Sequence, residues 1–217
     1  MNQLTKTIHY ISAWSKQLRF RHSAVYWEKR YRRGKTSGGG SYGENAQFKA
    51  NFLNAFVAEH GVRRVIELGC GDGAQLSLAS YPDYVGVDVA PTAVRKCRER
   101  FARTPNRRFF HSSDRAAWAG FAAELALSLD VVYHLVEDEV FEAYMRDLFD
   151  VAGRYVIIYS WNEETGPNYR DTGAVHMRRR RFTEWVRANA DRWRLTEVAP
   201  NRNQLLPSFY VYARRES

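Results

Sequence analysis

At 217 residues, 45% hydrophobic and 26% charged, the chain has an ordinary globular composition and enough length for one α/β domain with a full core. No run approaches the ~20 apolar residues of a membrane span, no signal-peptide core is visible, and two cysteines make neither a disulfide framework nor a zinc spacing; a cytoplasmic protein without a metal site is expected. The net charge of +9 is uneven: residues 1–35 hold nine Lys/Arg against Glu28 alone, residues 170–194 hold eight arginines against three acids, and residues 36–169 are net acidic. Basic segments of this kind attract phosphate or carboxylate partners.

The first 35 residues interleave Trp14, Phe20, Tyr26, Trp27 and Tyr31 with cations. Ile8, Ile11, Trp14 and Leu18 have the spacing of an amphipathic helix, and residues 25–31 predict a second. Such a segment suits stacking on bases or sugar rings, and equally a helix that packs its rings on a core. A Gly-rich loop follows over 34–43 without the full order of a phosphate-binding P-loop. Residues 45–60 predict a helix with Phe48, Phe52, Leu53, Phe56 and Val57 on one face and Gly61 as its stop.

Residues 65–68 predict a strand that carries Glu67 at its carboxyl end and runs into a loop with glycine at every second position: Gly69, Cys70, Gly71, Asp72, Gly73. A short helix is expected over 74–79. The order E-x-G-x-G-x-G differs from the dinucleotide pattern G-x-G-x-x-G, and its leading carboxylate would repel a pyrophosphate but suits a cationic ligand. The next strand, 84–87, ends at Asp88, 19 residues after Gly69. An acid at this distance accepts hydrogen bonds from ribose hydroxyls; alone it is as readily a cap or a turn.

The alternation continues. Helix 92–101, strand 107–111 and Ser112-Ser113-Asp114 come next. Strand four and its outgoing loop occupy 125–134, including Ser128, Leu129, Asp130, Tyr133 and His134. Helix 136–151 opens on Glu137, Asp138 and Glu139, acids that favour a helix N-terminus. Strand 154–160, a polar loop, the run His176-Met177-Arg178-Arg179-Arg180-Arg181, helix 182–189 and two last strands, 193–198 and 209–213, complete the chain. β and α elements in alternation imply a doubly wound α/β sheet, Rossmann-like and mostly parallel, with helices on both faces and a C-terminal antiparallel strand.

The glycine loop with Glu67 and Asp88 resembles motif I and its partner acid in the class I S-adenosylmethionine-dependent methyltransferases, over roughly residues 45–213. The segments Gly40-Ser41-Tyr42-Gly43 with Phe48-Lys49-Ala50, and 128–138, resemble a bacterial subgroup associated with polysaccharide and glycan biosynthesis. The resemblance implies S-adenosylmethionine as cofactor, held by Glu67, Gly69, Cys70, Gly71, Gly73, Asp88, Val89, Asp114, Ser128, Leu129 and Tyr42. It implies a main domain over 45–217, with 1–44 as a basic arm and lid loop. Asp130, Tyr133 and His134 fall nearest the transferable methyl group. His134 is the candidate base, with Asp130 and His176 beside it, and no metal is expected. Tyr133, Arg178 and Arg180 are candidate acceptor contacts, the arginines because a guanidinium forks onto carboxylate or phosphate. The expected acceptor is therefore a small anionic molecule or a glycan, methylated on a hydroxyl; an RNA methyltransferase and a non-catalytic module that keeps the pocket are the alternatives.

Overall fold

The computed structural model describes residues 22–164, 175–203 and 205–215, so the helix expected near Ile8–Leu18 lies outside the described residues, as does most of the polar loop after residue 162. The elements are α1 (Ser23–Arg32), α2 (Gly43–Glu59), β1 (Arg64–Leu68), β2 (Asp83–Asp88), α3 (Pro91–Arg100), β3 (Arg107–His111), α4 (Arg115–Trp118), β4 (Ala123–Leu129), α5 (Asp138–Asp150), β5 (Ala152–Ser160), α6 (Phe182–Asn189), β6 (Trp193–Ala199) and β7 (Ser208–Arg214). They build one seven-stranded sheet in the order β3-β2-β1-β4-β5-β7-β6. β1 to β5 pair in parallel, and β7 runs antiparallel between β5 and β6. The expected architecture is therefore the observed one.

Side chains on a strand alternate between faces, which divides the apolar runs between two cores. Ile66, Val85, Ala126 and Ile158 meet Met145 and Leu148 of α5 and Phe182 of α6. Val65, Tyr84, Leu125 and Ile157 meet Leu53 and Phe56 of α2 and Val94 of α3. The chain order reverses between β1 and β4, and in open α/β sheets the crevice beyond the carboxyl ends of such strands takes the ligand.

One element falls short of expectation. After the glycine loop there is only a 3₁₀ turn, Gln75–Leu78, in place of the helix over 74–79. The crossover must reach β2 at Asp83, Pro82 has no N–H to extend a helix, and Tyr81 is pinned in the core. A full helix dipole therefore does not point at the loop, a setting that disfavours a pyrophosphate and tolerates a cation.

α1 is built into the body. The Glu28 carboxylate accepts from the Thr92 N–H at 3.0 Å and the Thr92 hydroxyl at 2.8 Å, at the start of α3. The Ser23 N–H and hydroxyl donate to Glu137, the residue before α5, at 2.8 and 2.5 Å. α1 thus spans two helix N-termini and buries Tyr31 beneath it.

Candidate active site

Beyond the carboxyl ends of β1, β2 and β4, and under α1, lies a cavity of about 610 Å³. That is within the range of small-molecule and cofactor sites. Gly69 (φ +89°) and Gly71 (φ +59°) form its floor, in backbone conformations that side chains rarely adopt. A Cβ on Gly69 would collide with Val131, and one on Gly71 with the Ser37 hydroxyl. The bare backbone thus lets two other segments, the loop after β4 and the strap over residues 34–43, close onto this turn.

The strap is tied down by Asp72, a residue of the glycine loop to which no role was assigned above. Its carboxylate accepts from the Ser37 N–H (3.1 Å), the Ser37 hydroxyl (2.9 Å) and the Tyr42 hydroxyl (2.8 Å). Burial acts to raise the Asp72 pKa, but these donors outweigh it and hold it below the ordinary value. Tyr42 is thereby a latch on the glycine loop and does not line the cavity.

Both expected acids line the cavity and are buried. Glu67 accepts from the Tyr84 hydroxyl at 2.7 Å. Burial lifts its pKa to about 7, against the opposing pull of Tyr84 and Lys49. Asp88 accepts from the backbone N–H of Gly71 (2.9 Å) and Ala90 (2.8 Å), yet burial still lifts it to about 6. Two desolvated carboxylates in one cavity await donors or positive charge.

At the other end, Asp130 takes a left-handed backbone conformation (φ +59°) directly after β4. One carboxylate oxygen pairs with Lys49 of α2, and the other accepts from the Tyr133 hydroxyl at 2.9 Å. A carboxylate so engaged is a structural anchor, poorly placed to take a proton. His134 follows on a 3₁₀ turn. Its Nδ1–H donates to the backbone carbonyl of His176 at 2.9 Å, which leaves the lone pair on Nε2. Burial holds its pKa at about 4, so the ring is neutral. Trp27 meets His134 edge-on at 4.9 Å, and the His176 ring is layered between His134 (5.4 Å) and Tyr26 (4.6 Å).

Cys70, Val89 and Leu129 line the cavity as expected, and Gly73 supports the turn against Phe101. Besides Tyr42, other expected contacts do not line the cavity. Ser128 lies below the cavity and accepts from the Tyr144 hydroxyl at 2.7 Å, which also reaches the Leu68 carbonyl. Asp114 is exposed just before α4, and Ser112 and Ser113 line the wall instead. The His176 ring does not reach the cavity; its carbonyl orients His134. Arg178 and Arg180 both turn to Asp138, at 3.0 and 2.6 Å, and to carbonyls of residues 135–136. They clamp the start of α5, where Asp138 and two backbone carbonyls accept from them, and neither lines the cavity. Among the described residues no cluster of His, Cys, Asp or Glu could hold a metal ion, and the ammonium of Lys49 beside Asp130 opposes one.

Lys49 and Gln75 line the cavity without the sequence having assigned either a role in the site. Lys49 is 1% exposed and is the one Lys or Arg among the described residues that lines the cavity. Its signal was a cation on the face that buries Leu53 and Phe56. Gln75 also lines it; its Nε2 donates to the Ala46 carbonyl at 3.0 Å, so Oε1 faces away and has no hydrogen-bond partner among the described residues. A buried acceptor without a protein donor, on the wall of a cavity, suits a ligand that brings one.

Residues 65–153, from β1 into β5 and including the glycine loop and both acids, match the methyltransferase domain family. Among solved structures, the magnesium protoporphyrin IX methyltransferase of Synechocystis PCC 6803 with bound S-adenosylhomocysteine is similar at TM-score 0.62 and 17% identity, covering 86% of this chain and 93% of that one. The N-methyltransferase NodS of Bradyrhizobium japonicum WM9, also with S-adenosylhomocysteine, aligns at TM-score 0.60 and 13% identity over 79% and 88%. The methyltransferase domain of bacterial CtHen1-C aligns at TM-score 0.59 and 21% identity over 79% and 99%. No curated protein matches in sequence. These likenesses establish the fold, and the domain match with the acid pair supports a protein of the class I methyltransferase superfamily. S-adenosylmethionine is the cofactor they support, and the buried acids and the unpartnered Gln75 oxygen suit its cationic, amino-acid-bearing structure.

Proposed function

We propose that this protein methylates a hydroxyl of a small, oxygen-rich acceptor such as a sugar or glycan. The observation that carries the reading is the neutral His134, oriented through Nδ1 so that the Nε2 lone pair is free beside the cavity. S-adenosylmethionine supplies a methyl group on sulfur with a neutral thioether as leaving group. Glu67, Asp88 and the glycine loop hold that cofactor, and the strap with α1 excludes water from above. With the cofactor bound, His134 Nε2 would take the proton of the acceptor hydroxyl as that oxygen received the methyl group and the thioether departed. Burial opposes an imidazolium here, but the positive charge on sulfur vanishes as the proton arrives, so the net charge of the site stays constant. Alignment supplies most of the rate, and the base adds roughly 10²- to 10⁴-fold.

The sugar acceptor rests on the resemblance of residues 128–138 to glycan-modifying relatives. The anionic character expected from Arg178 and Arg180 loses its basis, since Asp138 takes both guanidiniums, and the near wall carries Glu137, Glu139 and Asp147. The same pairing weakens an RNA reading, because Arg179 and Arg181 also meet acids, Glu163 and Glu184. Transfer of labelled methyl to a panel of sugars, nucleotide-sugars and tRNA tests the choice. The expected result is sugar methylation, reduced at least 100-fold in kcat by His134→Gln with little change in S-adenosylhomocysteine affinity. Methylation confined to RNA, with a steep salt dependence of its binding, overturns it.

A further inference from the structure

Among the described residues the cavity is lined by several carboxylates and by one Lys or Arg side chain. The cofactor carries a positive sulfur, an ammonium and one carboxylate. Among the described residues that carboxylate therefore has Lys49 as its cationic partner, while Glu67, Asp88 and Asp130 would all repel it. Lys49 is fixed for the task. Its stem runs within the buried face of α2, its Nζ lies 5.3 Å from the centre of the Tyr159 ring, and Asp130 takes only one of its three donors. One turn before it on the same helix, the Ala46 carbonyl holds the amide of Gln75 so that Oε1 is left over.

Resting on the S-adenosylmethionine reading, we propose that Lys49 and Gln75 form the subsite for the zwitterionic amino acid end of the cofactor. Lys49 donates to the carboxylate while still held by Asp130, and Gln75 Oε1 accepts from the ammonium. Because Asp130 begins the loop that carries Tyr133 and His134, carboxylate binding at Lys49 also fixes the acceptor side of the site.

Calorimetry with three ligands separates the two contacts: S-adenosylhomocysteine, its decarboxylated analogue, which keeps the ammonium, and methylthioadenosine, which has neither group. Wild type is expected to prefer S-adenosylhomocysteine over the decarboxylated analogue by roughly 10- to 100-fold, the range for a hydrogen bond between charged groups. Lys49→Met erases that preference without changing the affinity for methylthioadenosine. Gln75→Leu narrows the step between the decarboxylated analogue and methylthioadenosine by roughly tenfold. Should Lys49→Met leave Asp130 unbalanced and the fold weakened, Lys49→Met/Asp130→Asn removes both charges, and asparagine accepts the left-handed backbone. Equal loss for all three ligands in that variant, or an undiminished preference for S-adenosylhomocysteine, overturns the proposal. A wild-type chain that binds methylthioadenosine but not S-adenosylhomocysteine overturns it too, whereas no binding of any of the three overturns the cofactor reading itself.

Discussion

Replacing Glu67 with glutamine probes the electrostatics of the cavity directly. Burial raises the Glu67 carboxyl from 4.5 to about 7. At ~1.4 kcal/mol per pH unit, ionising it in the empty fold costs about 3 kcal/mol. The folded value lies above the unfolded one, so the folded chain keeps its proton longer. The resulting stability is fully present below pH 4.5 and is lost as pH rises through 7. Glu67→Gln keeps the shape and an oxygen for the Tyr84 hydroxyl but has no proton to lose. Asp88, lifted to about 6, titrates in both proteins and cancels in the comparison. Urea unfolding without ligand should find the two proteins similar near pH 5, with the variant ahead by up to about 3 kcal/mol at pH 8. Binding runs the other way. A cationic ligand selects the ionised carboxylate, so wild-type affinity for S-adenosylmethionine should rise up to about tenfold per pH unit approaching pH 7 and then level. The variant should keep only the part due to Asp88. A stability gap that does not change with pH refutes the reasoning.

Three further outcomes follow from the geometry. Asp72→Ala removes the acceptor shared by Ser37 and Tyr42, and S-adenosylhomocysteine should dissociate roughly tenfold faster in stopped-flow measurements; an unchanged rate would show that the strap does not hold the cofactor. Arg178→Ala with Arg180→Ala should lower stability by about 1–3 kcal/mol in thermal unfolding and leave the acceptor KM unaltered, whereas a raised KM with intact stability would return these arginines to the acceptor site. Gly69→Ala forces a Cβ into Val131 at φ +89° and should cost about 2–4 kcal/mol, measured by urea unfolding; a neutral effect would mean that this turn is free to move.

The local pattern in the chain was enough to identify the scaffold and to single out the glycine turn and the two acids that line the cavity. Apolar strand-length runs that alternate with helical patterns imply a parallel sheet covered on both faces, and glycine at 69 and 71 with acids at 67 and 88 is a signature confined to residues 67–88. The expected helix over 74–79 failed because helical propensity does not register how few residues the crossover leaves before Pro82 and β2. Tertiary structure decided everything that depends on partners far apart in sequence. Lys49 meets Asp130 across 81 positions, Ser37 meets Asp72 across 35, and Arg178 and Arg180 find Asp138 about 40 residues back. The same arginines in the linear chain looked like a surface for an anionic acceptor, and Lys49 carried no assigned role. A side chain's type states which charge it brings; only the fold determines how much water it loses and which opposite charge lies within reach, and those two quantities set what it does.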